Sequence, residues 1–175
     1  VLFGFLALLA YEVAEISINS YFVIFLTSEG VATNVEASRL LSLALFIFMG
    51  GRFLGAWVMK FVHPTKVLFG CAVGSVACMC GVLFGGEISL YALVLNFACE
   101  AIMFPTIFSL SLTGLDAQQK KRASSYMMMT PVGGCAFLLM GIIADNTSLV
   151  LPFFVPLAGF LIVLAFATYK MRKRN

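Results

Sequence analysis

An all-α membrane protein with six transmembrane helices is the fold class this chain predicts, and three observations predict it. Hydrophobic residues make up 62% of the 175 and charged residues 11%, against about a quarter charged in ordinary soluble domains. Mean hydropathy is +1.05. The apolar residues gather into six runs, each near the ~20 residues that cross a bilayer as a helix. None of them alternates apolar and polar residues as the strands of a membrane β-barrel do, LLSLALFIFMGG and FLIVLAFATY being representative.

The runs fall at about 1–27, 38–61, 67–85, 88–114, 123–144 and 149–169. In the first, Tyr11, Glu12, Glu15 and Asn19 recur at helical spacing, so they share one face near mid-depth. The second places Arg52 among Gly50, Gly51 and Gly55, about two turns before Lys60. The third repeats small residues, Gly70, Gly74, Cys78, Gly81 and Gly85, every three or four positions, a smooth ridge for close helix approach. In the fourth, Asn96 and Glu100 stand one turn apart and Pro105 follows. That proline removes a backbone hydrogen bond, predicting a kink and a freed carbonyl at Ala101. In the fifth, Tyr126 and Thr130 lie one turn apart before Pro131, Gly133 and Gly134, which places Tyr126 on the same cavity as the acids. The sixth is plain apolar sequence.

Lysine and arginine set the expected orientation. Lys60 and Lys66, then Lys120, Lys121 and Arg122, then Lys170, Arg172, Lys173 and Arg174 all fall on one side of six alternating spans. The opposite connections, around 28–37, 86–87 and 145–148, carry Glu29, Glu36, Glu87 and Asp145. By the positive-inside rule both ends of the segment are cytoplasmic. The net charge of +3 is then a topology signal and not a nucleic-acid footprint. Val1 opens directly into apolar sequence without Met, which reads as a longer protein whose earlier part precedes it.

Enzyme chemistry is not expected. His63 is the only histidine and sits beside Pro64, and neither Gly-x-Ser-x-Gly nor His-Glu-x-x-His occurs. The five cysteines lie within spans without metal-site spacing and read as small packing residues. No cofactor or metal is called for.

Intramembrane carboxylates are the informative feature. A charge at the bilayer centre costs about 2.5–3.5 kcal/mol on the most lenient scale, so such groups face cavities, partners or proton paths. Glu12, Glu15 and Glu100 meet a single intramembrane cation, Arg52. Full ionisation leaves negative charge uncompensated, so these three are the proton-coupling candidates, with sodium as the competing ion. Runs one and four carry their acids at matching depth, which fits two inverted three-helix repeats whose first members meet at a midplane site. Arg52, Pro105 and Asp116, at the inner end of the fourth run, are the gating candidates. Glu15, Asn19, Asn96 and Glu100 suit hydroxyl recognition, and Phe22 and Phe104 offer rings for the apolar face of a sugar.

These residues resemble the C-terminal half of the fucose permease family of the major facilitator superfamily, proton-linked symporters that include glucose and galactose carriers. The resemblance spans nearly the whole chain. It rests on Tyr11 to Ser20 (YEVAEISINS) in the family's seventh helix, Gly51 to Gly55 (GRFLG) in the eighth and Met103 to Leu110 (MFPTIFSL) in the tenth. Ala123 to Tyr126 with Val132 to Gly134, and Gly141 to Asp145, add to it in the eleventh. It implies one half of a twelve-helix transporter in a bacterial inner membrane. The other six helices would supply the rest of a central cavity that takes a monosaccharide and a proton by alternating access. It also implies that the family's main protonatable carboxylates lie largely in the other half, leaving Glu15 and Glu100 to sugar hydroxyls. Glu12 stands where the family usually has an apolar residue, Val13 where it often has glycine, and Glu100 where small or amide side chains are common. Another small solute, sodium coupling, or a non-transporting membrane sensor are the competing readings.

Overall fold

The computed structural model describes residues 2–30, 32–84, 87–148 and 150–173, and the side chains of residues 87, 136 and 137 lie outside that description. Val1, Gly85 of the small-residue ridge, the Gly86 turn, the Glu87 side chain and Arg174 of the basic tail therefore fall outside it.

Six apolar crossings are present. Helix α1 runs over Leu2–Ser28 and α2 over Asn34–Val58. Helix α3 spans Pro64–Leu83 and α4 spans Glu87–Leu112. The fifth crossing is divided: α5 (Ala117–Met127), a 3-10 stretch at Thr130–Ala136, then α6 (Phe137–Asn146). A short 3-10 turn, Leu151–Phe153, leads into α7 (Phe154–Arg172).

Local chemistry explains the boundaries. Gly30 and Gly114 adopt left-handed backbone, φ +68° and +84°, and turn the chain after α1 and α4. The second helix begins at Asn34, four residues before its apolar run, because Thr33 and Glu36 form a capping box. The Glu36 carboxylate accepts from the Thr33 N–H at 2.9 Å and the Thr33 side chain accepts from the Glu36 N–H at 3.3 Å. His63 caps α3, its Nδ1 accepting from the Thr65 N–H at 3.3 Å, and Pro64 occupies the first turn. The fifth run, expected as one helix over 123–144, is instead broken where Pro131, Gly133 and Gly134 interrupt it. Helix α4, in contrast, stays helical through Pro105.

Packing carries the signature of an inverted repeat. Helix α1 packs on α7 and on the broken fifth crossing, and α4 packs on α3 and on α2. Exchanging crossings one, two and three for four, five and six converts each of these contacts into another. The α1–α4 and α3–α7 contacts map onto themselves. The molecule is thus two inverted three-helix repeats, the topology of one half of a major facilitator transporter.

Small residues form the seams on both sides of that symmetry. A Cβ on Gly51 would lie 2.8 Å from the Cβ of Ala101, where α2 meets α4. Its counterpart, Gly133, lies where the fifth crossing meets α1, 3.0 Å from Val13 by the same measure. The ridge of α3 is used inside the bundle, Gly74 against Cys99 and Gly81 against Ala92 of α4. The core holds Tyr11, Phe22, Phe25, Phe97, Phe153 and Phe160, with Phe22 edge-on to Phe97 at 5.8 Å.

Candidate functional site

Glu15 is the middle residue of α1, and Glu100 lies within one residue of the middle of α4. The structure therefore sets the two acids at one depth on helices that touch. Tyr11 ties those helices together: its buried hydroxyl donates to the main-chain carbonyl of Glu100 at 3.0 Å. This is the carbonyl next to the one Pro105 leaves without its helical donor. Tyr11 was legible as part of the polar stripe, but its bridging bond depends on α4 and has no local signal.

Accessibility divides the expected site residues into two groups. Any side chain that lines a cavity shared with further helices must be open on this bundle alone. Glu15 and Asn19 are partly open on α1, Phe104 is partly open on α4, and Arg52 is exposed on α2. Asn96, Glu100 and Phe22 are each 0% exposed. Those three are sealed inside the bundle, and in this conformation a solute at the open face does not touch them.

Arg52 faces two acids of α1, the partly open Glu15 and the buried Glu12. It is within electrostatic range of Glu12 and Glu15, which also face each other. Its guanidinium lies 4.7 Å from the ring centroid of Phe48 and 6.0 Å from that of Phe104. Phe104 in turn lies 6.3 Å from both Tyr11 and Phe108, stacking on the latter. An aromatic seat thus holds a cation within electrostatic range of two carboxylates, with Asn19 one turn beyond Glu15 along α1, its Oδ1 buried and unpartnered among the described residues. This cluster offers hydrogen-bond donors, acceptors and a partly open ring.

Other expected members stand elsewhere. Tyr126 is 66% exposed and lines an apolar cavity of about 630 Å³ with Leu2, Phe5, Leu9 and Met127. That places it at the level where α1 begins, away from the acids. Asp116 is exposed at the start of α5, where its N–H donates to Gln119 Oε1 at 3.3 Å. The described contacts of Arg52 and Asp116 do not include each other. Thr130 is buried, its hydroxyl bonded to the Met127 carbonyl at 2.8 Å. Lys170, which the sequence marked only as a basic end, reaches across 60 positions to donate to the Leu110 carbonyl at 2.7 Å.

No protein-family model matches the chain. Among curated proteins it is 31% identical over 170 residues to the L-fucose-proton symporter of Escherichia coli K12, covering 94% of this chain and 38% of the symporter. It is 32% identical over 158 residues to a glucose/galactose transporter of Brucella abortus, covering 88% of this chain and 38% of the relative. A putative glucose/galactose transporter of Helicobacter pylori aligns with 99% of the chain at 31% identity, over 44% of its own length. The chain therefore spans about two fifths of the length of the curated relatives it matches. The crystal structure of the major facilitator transporter FucP in its outward conformation superposes with a TM-score of 0.90 at 31% identity, over 96% of this chain and 41% of that one. A peptide transporter superposes at 0.86 with 14% identity, a likeness of fold alone.

Proposed function

Because this chain matches the fucose permease family of the major facilitator superfamily along one six-helix half, we propose that it forms the C-terminal half of a proton-coupled monosaccharide symporter that works by alternating access. The observation that carries this reading is the placement of Glu15, Asn19, Phe104 and Arg52 on the open face of the bundle, at the depth where the two repeats' first helices meet. Vicinal hydroxyls are recognised by paired acceptors and donors, and the apolar face of a pyranose stacks on a ring. Glu15 and Asn19 take the hydroxyls, Arg52 donates to them and balances the acids, and Phe104 supplies the ring. The names of the relatives point to fucose, glucose or galactose as the class of solute. A second six-helix half closes the cavity from the other side.

The basic ends at Lys60, Lys66, Lys120 to Arg122 and Lys170 to Lys173 face the cytoplasm in this reading, and the membrane is a bacterial inner membrane.

The test is external pH in a weakly buffered, energy-depleted suspension of cells expressing the complete protein, with fucose, glucose and galactose added in turn. Alkalinisation with one sugar is the expected result and names the solute. Uptake that requires sodium and leaves pH unchanged would move the coupling to that ion. No uptake of any of the three, with the protein confirmed in the membrane, would overturn the sugar reading.

A further inference from the structure

Glu100 stands apart from the other carboxylates of the spans. Arg52 faces Tyr11, Glu12 and Glu15 of α1, whereas the groups that face Glu100 are Tyr11 and Glu15 from α1, Cys78 from α3 and Cys99 of its own helix. Helix α7, which packs on α1 and α3, has no ionisable side chain between Gly159 and Ala167. Among the described residues no cation is found with the groups that face Glu100, and in a sealed interior an uncompensated charge is strongly disfavoured.

Among the described residues its one side-chain partner is Asn96, whose Nδ2 donates to Glu100 Oε1 at 2.8 Å. The remaining oxygen on each of these two side chains, Glu100 Oε2 and Asn96 Oδ1, is buried without a partner. With Glu100 ionised both orphans are acceptors, and two acceptors do not satisfy each other. One proton removes the conflict. Placed on Oε2 it makes an O–H that donates to Oδ1 of the amide already bonded through Nδ2, closing a two-bond ring between a carboxylic acid and a primary amide.

We propose that Glu100 and Asn96 form an enclosed proton-binding site, with one proton carried on Glu100 Oε2 and accepted by Asn96 Oδ1. Loss of that proton returns a carboxylate flanked by an unpaired amide oxygen, a state that needs water or an opened helix seam. The Tyr11 hydroxyl, bonded to the Glu100 main-chain carbonyl, and the partly open Glu15 carboxylate are the titratable groups of α1 that face this pair. The role of the site in coupling rests on the symport reading above, but its occupancy does not.

The experiment is infrared difference spectroscopy on the full-length transporter in lipid, following the carbonyl stretch of protonated carboxylic acids near neutral pH and its shift in D2O. A band lost in Glu100→Gln is expected, since glutamine keeps the ring by offering an N–H in place of the O–H. Asn96→Ala should keep the band and move it to higher frequency, because the acid loses its acceptor. An acid spectrum unchanged by Glu100→Gln would mean that Glu100 is ionised and would overturn the site. If that variant does not fold, an unmoved band in Asn96→Ala overturns it instead. A band without sugar-driven alkalinisation would leave the site standing and sink the symport reading, and alkalinisation without the band would do the reverse.

Discussion

Adding one methyl group at Gly51 tests the seam that holds Arg52 against α4. A Cβ built there lies 2.8 Å from the Cβ of Ala101, the residue after Glu100. Carbon atoms in contact prefer roughly 3.5–4.0 Å, so α2 must draw back by about 1 Å. Ala101 has no rotamer with which to yield. Overpacking of this kind costs about 1–3 kcal/mol, a factor of roughly 5 to 150 in the unfolding equilibrium. Gly50 is the control one position away, because a Cβ there meets nothing within 4 Å. Both Gly→Ala changes gain the same helix-forming benefit of about 0.5–1 kcal/mol, so the difference between them reports the clash alone. Unfolding in mixed micelles by titrated SDS is the assay. Gly51→Ala is expected to be less stable than Gly50→Ala by about 1–3 kcal/mol. Equal stability would refute the close approach of α2 and α4, and with it the position given to Arg52.

Three further outcomes are expected. Tyr11→Phe removes a buried bond between the repeats while the Glu100 carbonyl keeps its helical donor, so the loss in the same assay should be only about 0.6 kcal/mol. Lys170→Met keeps the stem but loses the 2.7 Å bond to the Leu110 carbonyl and the contact 5.7 Å from the Phe166 ring, and about 1–2 kcal/mol of stability should go with them. Glu15→Gln should weaken sugar exchange and uphill accumulation together, by roughly tenfold in apparent affinity for about 1.4 kcal/mol of lost charged hydrogen bonding. Accumulation abolished with exchange intact would instead make Glu15 the proton carrier and remove it from the sugar.

The six crossings were legible because length and apolarity alone decide whether a segment spans, and the shared face of Glu12, Glu15 and Asn19 was legible because three- and four-residue spacing fixes it. The matching depth of Glu15 and Glu100 was likewise legible, since both fall near the centre of their apolar runs. What local spacing leaves open is the rotation of α4 about its own axis. Its packing on α3, through Gly74 against Cys99, turns Asn96 and Glu100 inward and leaves Phe104 partly open. Arg52 and Asp116 were both gating candidates, yet the Arg52 side chain seats on Phe48 and Phe104, a choice made by rings from two helices. The break in the fifth crossing had its signal in Pro131, Gly133 and Gly134, which lie inside the run expected as one helix over 123–144.

That break makes the two repeats mechanically unequal. In the first repeat the crossing that leans on the opposing lead helix is the unbroken α2, and in the second its counterpart is interrupted by seven residues of 3-10 geometry. Such turns have poorer hydrogen-bond alignment than an α-helix, so their compliance is greater. The symmetry of the contacts is therefore not a symmetry of stiffness. The more compliant of the two counterpart crossings thus lies in the second repeat.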